Sequence, residues 1–200
     1  MFFFKISSHA EYEKIFYDFK INRKIFFIIF MIFFSSSANA KYEKVFYDFS
    51  IKSINGEMIN LSKFKNNVIL LVNVASYCGF TNQYSDLQKL WDEYKDKNFV
   101  VIGVPSNSFN QEKDNEKEIK EFCEVNFNIS FPMTSIYQVK GDNAHEIYKW
   151  AKDNHGKSAI PKWNFYKILI NKDGKVEDTY SSLTNPNSNK IRKKINMLIE

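Results

Sequence analysis

Two cysteines, six glycines, three histidines and two arginines are few for a chain of 200 residues. Cys78 and Cys123 allow one disulfide at most. Thr81 stands where a Cys-x-x-Cys pair begun by Cys78 would carry its second thiol, so the usual dithiol exchange motif is absent. The glycines never cluster, which excludes a glycine-rich phosphate loop. His9, His145 and His155 lack metal-ligand spacing, so no metal site is expected. Charge of one sign is scarce as well. The net charge is +5, and +3 after residue 40, where 23 basic residues meet 20 acidic ones. That is too weak and too dispersed for a nucleic-acid footprint. The one dense basic cluster is Lys190, Arg192, Lys193 and Lys194. It reads as a solvated stretch late in a final helix, where cations suit the dipole.

Long hydrophobic runs are also missing. The longest, residues 25–34, has ten apolar side chains, against the roughly 20 that a bilayer requires. Lys20, Arg23 and Lys24 precede it, and Ser35-Ser36-Ser37-Ala38-Asn39-Ala40 follows with an A-x-A ending. That is the layout of a secretory signal peptide cleaved after Ala40, and it implies an exported or periplasmic protein. Residues 1–19 resemble residues 31–49 at a period of thirty. Two copies are too few for a solenoid, so the echo reads as a partial duplication of the leader and first strand. Residues 1–40 are therefore expected to be a leader and residues 41–200 one domain. Hydrophobic residues make up 44% of the chain and aromatic residues 17%, enough for a sizeable core.

Residues 46–51 and 57–59 around Asn55-Gly56 predict an N-terminal β-hairpin with a type I′ turn. Residues 68–74 and 99–104 are apolar without alternation, as in strands covered on both faces. Residues 82–95, 116–126 and 144–152 show helical spacing. Residues 166–170 and 175–180 flank Asn171-Lys172-Asp173-Gly174 as a hairpin. Pro186 is expected to open a last helix with Ile191, Ile195 and Leu198 on one side. This order predicts an α/β fold with a central mixed β-sheet flanked by helices. The loop after Val74 falls at the carboxyl edge of the sheet, where open α/β folds keep their sites.

Three polar positions then attract notice. Cys78 lies in Asn73-Val74-Ala75-Ser76-Tyr77-Cys78-Gly79-Phe80-Thr81, just past a buried strand and before a helix. By itself a lone cysteine is often a small buried hydrophobe. Before a helix, N–H groups and the dipole favour an anion. Gln111 lies in Pro105-Ser106-Asn107-Ser108-Phe109-Asn110-Gln111-Glu112, after the second strand. Trp163-Asn164 heads the third, and asparagine is a poor strand residue. Gln, Trp and Asn side chains are uncharged hydrogen-bond donors of the kind that hold a thiolate. Lys162 and Lys167, beside Trp163, read as exposed cations able to attract anionic head groups.

Those three segments resemble the glutathione peroxidase family over about residues 42–198. Its pattern runs N-V-A-S-x-C-G-x-T, F-P-x-N-x-F-G-x-Q-E-P and W-N-F-x-K-F-L. The first is whole here, and the third stands as Trp163-Asn164-Phe165-Tyr166-Lys167-Ile168-Leu169. The second lacks one residue between Phe109 and Gln111 and has Lys113 in place of proline. The resemblance implies a thioredoxin-like fold and a catalytic tetrad of Cys78, Gln111, Trp163 and Asn164. It implies a peroxidase without a cofactor that reduces hydrogen peroxide and organic or lipid hydroperoxides through a Cys78 sulfenic acid. In cysteine-type members, the position of Cys123 holds the resolving thiol. A Cys78–Cys123 disulfide would then be reduced by a thioredoxin-like protein rather than glutathione, whose binding arginines have no counterpart. Residues 154–162 are brief where tetrameric members carry an extra loop, which implies a monomer with an open site. Two rivals remain at this point: a peroxide sensor that relays oxidation to a partner, and a merely disulfide-stapled exported domain.

Overall fold

The structure, a computed structural model, describes residues 43–200. The leader, its cleavage signature and the first copy of the repeat lie outside the described residues.

A four-stranded sheet has the order β4-β3-β5-β6. It consists of β3 (Val68–Val74), β4 (Phe99–Pro105), β5 (Lys167–Ile170) and β6 (Val176–Tyr180). β3 runs parallel to β4 and antiparallel to β5, and β5 pairs antiparallel with β6. β3 and β4 are buried at every position, as their unbroken apolar runs require. Alternate side chains enter different cores because successive Cβ atoms point to opposite faces. Val68, Leu70, Val72 and Val74 join Leu87, Ile119, Cys123, Ile191 and Ile195 on one side. Ile69, Leu71, Val100 and Ile102 join Phe46, Leu61, Ile147 and Ala151 on the other. Helices α1 (Gln83–Tyr94), α2 (Glu116–Phe127) and α4 (Asn189–Ile199) thus contribute to the first core, and α3 (Glu146–His155) to the second.

The mixed sheet flanked by helices is as expected, and the fold is thioredoxin-like. The N-terminal hairpin is shorter than expected. Phe46–Asp48 is a 3-10 turn, β1 is Ser50–Lys52 and β2 is Met58–Asn60. Five residues separate the strands, with Gly56 at φ 87, so the turn is not the two-residue Asn-Gly type. Pro186 precedes α4 rather than opening it; Ser188 is the N-cap. The basic cluster occupies the first half of α4, not its end. Arg192 pairs with Glu93 and Lys194 with Glu177, so neighbouring acids rather than the dipole hold those charges.

Topology decides where the chemistry collects. Val74 is level with Pro105, and Val72 with Lys167. The ends of β3 and β4 therefore lie beside the start of β5. Three segments that are distant in sequence meet there: residues 75–82, residues 106–112 and residues 163–166.

Candidate active site

Asn73 is the clasp between the first and third segments. It is the only polar side chain in β3 and is 1% exposed. Its Nδ2 donates to the Trp163 carbonyl at 3.1 Å. Its backbone carbonyl accepts from Phe165 N–H at 2.6 Å, and its own N–H donates to the Tyr166 carbonyl at 3.3 Å. Between these anchors Phe165 adopts φ 60, a left-handed conformation that is uncommon for a residue with a side chain. Its ring is fully buried, edge-on to Tyr84 at 5.2 Å. Packing thus holds a strained turn that sets the aim of Asn164.

The second segment is tied to the first by two backbone donors. Tyr77 N–H donates to the Gln111 carbonyl at 2.9 Å, and Ser76 N–H to Glu112 Oε1 at 2.9 Å. The missing residue in this loop is absorbed at Asn110, which takes φ 56. Asparagine tolerates that region better than most residues. The shortened loop still delivers Gln111 to the site: Asn164 Nδ2 donates to Gln111 Oε1 at 3.0 Å. Two residues 53 positions apart are thereby brought side to side, with Asn164 fully buried.

Cys78 lies in the turn before α1 and is 4% exposed. Its Sγ accepts a hydrogen bond from Phe80 N–H at 3.5 Å. The Cys78 carbonyl takes both the N–H and the hydroxyl of Thr81, at 3.0 and 2.9 Å. The donor facing the sulfur is therefore a turn amide, not the first turn of the helix that the sequence suggested. Among the described residues no hydrogen bond to Sγ comes from Gln111, Trp163 or Asn164. Trp163 is 41% exposed and lies against Phe109, ring centroids 5.2 Å apart. Tyr77, next to Cys78, is 63% exposed; Lys113 Nζ donates to its hydroxyl at 2.9 Å.

Cys123 occupies a different setting. It lies in the last turns of α2, is 2% exposed and is unpaired, as is Cys78. Its carbonyl accepts at the helix end, where Asn128 takes a left-handed φ of 49. Burial pushes the Cys123 thiol up to about 12, offset in part by the neighbouring Tyr84 hydroxyl. Tyr84, in α1, is completely buried. Its hydroxyl has no hydrogen-bond partner, and burial drives its ionisation well above the ordinary phenol value.

Sequence reasoning missed Glu112 and Lys167. Glu112 is 6% exposed. Burial raises its carboxyl above the usual range, against the lowering effect of hydrogen bonds from Ser76 and Lys113. An acid in a polar loop gives no sign of burial; its place beside Gln111 in the motif was the available signal. Lys167, expected as an exposed cation, is fully buried. Its Nζ donates to Gln83 Oε1 and the Thr184 carbonyl, both at 2.6 Å, and burial lowers it to about 7. It pins the start of α1 and is unavailable to a head group. Lys162 is exposed, as expected.

Comparison with known proteins identifies the family. A sequence model of glutathione peroxidase matches residues 46–152. The chain is 43% identical over 142 residues to glutathione peroxidase-like peroxiredoxin 2 of Saccharomyces cerevisiae, covering 68% of this chain and 87% of that protein. It is 42% identical over 154 residues to a probable phospholipid hydroperoxide glutathione peroxidase of Mesembryanthemum crystallinum, covering 74% and 89%. The solved structure of Trgpx in apo form is similar with a TM-score of 0.63 at 36% identity, covering 78% of this chain and 96% of that one. With a buried thiol at the sheet edge, a clustered Gln–Asn pair beside it and these relatives, the chain belongs to the glutathione peroxidase family and is a thiol peroxidase that reduces hydroperoxides.

Proposed function

We propose that Cys78 is the peroxide-cleaving thiol and that Gln111, Trp163 and Asn164 form its donor set. The single observation that carries this reading is the hydrogen bond from Asn164 to Gln111 beside the Cys78 turn. Its two partners come from different strand ends and are tied to the segment before Cys78 by Asn73 and Tyr77. The Cys78 thiolate attacks the distal oxygen of a hydroperoxide. The O–O bond breaks, an alcohol or water leaves, and Cys78 becomes a sulfenic acid. Neutral donors stabilise the charge that develops on the leaving oxygen.

Cys123 then attacks the oxidised sulfur, water leaves, and a Cys78–Cys123 disulfide forms. A disulfide requires Cα atoms within about 7 Å. Cys123 lies close to the end of α2, where helices fray most readily, so partial opening from that end brings it across. A thioredoxin-like dithiol is the fitting reductant, since a protein disulfide is its natural substrate; glutathione is the alternative. The exposed aromatics Tyr77 and Trp163 near the turn favour organic and lipid hydroperoxides, including those presented at a membrane surface. The leader pattern of residues 25–40 supports action after export, and the brief segment 154–162 supports a monomeric chain.

The test is hydroperoxide consumption by the full chain with and without a thioredoxin system, comparing Cys78→Ser and Cys123→Ser. Multiple turnovers supported by thioredoxin, lost in both variants, are expected. A single stoichiometric oxidation passed to a partner, with no turnover, would favour a sensor. Unaltered turnover in Cys123→Ser would remove the resolving role.

A further inference from the structure

Resolution, as proposed above, has a proton problem. Burial holds the proton on Cys123 while α2 is closed, and an ordinary thiol released by its opening is still mostly protonated at neutral pH, yet the thiolate is the attacking species. Some nearby group must take the proton. Glu112 is the buried carboxylate in that region. Its Oε1 accepts two backbone N–H groups, from Ser76 and Lys113, each at 2.9 Å. Its Oε2 is buried with no hydrogen-bond partner. One oxygen is thus fixed to the segment that carries Cys78, and the other is free to receive a proton. Tyr84 of α1 is completely buried, and its hydroxyl has no hydrogen-bond partner, so it does not occupy the free oxygen of Glu112. The titratable and charged groups facing Glu112 are Tyr84 from α1, Cys123 from α2 and Lys113 from its own loop; Glu124 of α2 in turn faces Cys123.

Resting on that reading of the two cysteines, we infer that Glu112 is the proton acceptor of the resolving step. The anchoring matters here. Glu112 is held by Ser76 N–H and not by α2, so it stays beside Cys78 when α2 opens and meets the arriving thiol there. The step balances. The Cys123 S–H bond breaks and its proton goes to the Glu112 carboxylate. The Cys123 sulfur attacks the Cys78 sulfenic sulfur, forming S–S and breaking S–O. The departing hydroxide takes the proton and leaves as water. Cys123 sulfur is oxidised and Cys78 sulfur reduced. Burial that raises the carboxyl improves it as a base for a weakly acidic thiol, provided the pH lies above that raised value.

The test follows the full chain after one equivalent of hydrogen peroxide at a series of pH values. A sulfenic-acid trap reads the first step, and acid-quenched thiol counting reads disulfide formation. In Glu112→Gln, which keeps the Ser76 hydrogen bond, the ratio of the second rate to the first is expected to fall about 100-fold near pH 7. It should recover steadily as pH rises and hydroxide replaces the lost base. A ratio that is unchanged in Glu112→Gln, or lowered equally at every pH, would overturn the assignment. The parent chain separates this from failure of the underlying reading. If no sulfenic acid is trapped in Cys123→Ser, or no disulfide forms in the parent, the cysteine roles themselves are wrong and the inference falls with them.

Discussion

The two cysteines are almost equally inaccessible, at 4% and 2%, yet their surroundings are opposites. Cys78 sits in a turn, with a backbone N–H on its sulfur and two amide side chains gathered beyond it. Cys123 sits in a helix against aromatic rings, where burial holds the proton on. Low exposure therefore says little about a thiol. What distinguishes the two is whether the neighbours offer donors to an anion or only low-dielectric packing.

The sharpest way to break this contrast is to remove each sulfur in turn. Cys78→Ser should abolish peroxide consumption altogether. Cys123→Ser should still reduce about one peroxide per chain by the two-step scheme, but lose thioredoxin-linked turnover. Thiol counting after a single peroxide addition distinguishes them, and equal loss in both would erase the division of labour.

Alkylation sharpens the same contrast without peroxide. In Cys78→Ser at pH 8, a thiol titrating near 12 leaves roughly one thiolate in ten thousand. Labelling of Cys123 by a neutral alkylating agent should run about 1000-fold slower than in the urea-unfolded chain. Comparable rates would mean that α2 opens too freely to protect it.

Next in size is the donor pair. Asn164→Ala removes the hydrogen bond to Gln111 and should slow hydroperoxide reduction about 100-fold, while Cys123 alkylation is untouched. Less than a two-fold change in rate would show that the amide cluster is scaffolding.

Lys167 tests whether the Cys78 side rests on a buried cation. Its amine is held at about 7 against an ordinary 10.5, so between those values the unfolded chain binds a proton that the folded chain does not. Folded stability should therefore rise as pH climbs from about 7 to 10.5, and this contribution should be flat outside that window. The gain is on the order of a few kcal/mol. Denaturant melts of Lys167→Met should lose that rise relative to the parent; an identical pH dependence would contradict the burial argument.

The smallest effect belongs to a pair remote from both thiols. Arg192→Ala removes the exposed ion pair with Glu93 and should cost less than about 1 kcal/mol in a thermal melt. Peroxidase rates should not move.

Much of the frame could be read from residues alone. β3 and β4 were legible because their apolar runs are unbroken, and residues 116–126 because Ile119 and Cys123 share a helical face. Cys78, Gln111 and Asn164 were legible through motif spacing. Lys167 was misread because a four-residue strand covered on both faces looks, in sequence, like one with a wet side. Glu112 was not legible because an acid in a polar loop gives no sign that the distant Ser76 N–H will join the adjacent Lys113 N–H on its carboxylate. The 3-10 turn at Phe46–Asp48 was taken for strand because three residues do not establish a period.

By itself, the order of amino acids determined most of the elements, their alternation and which side chains are candidates for the chemistry, since each depends on local spacing and covalent chemistry. Only the folded chain decided that Asn73 clasps residues 163–166, that Asn110 absorbs the shortened loop, and that Glu112 is buried against the Ser76 N–H. Those are consequences of strand order: an antiparallel β5 starts where parallel β3 and β4 end, and no local pattern records which strand ends become neighbours.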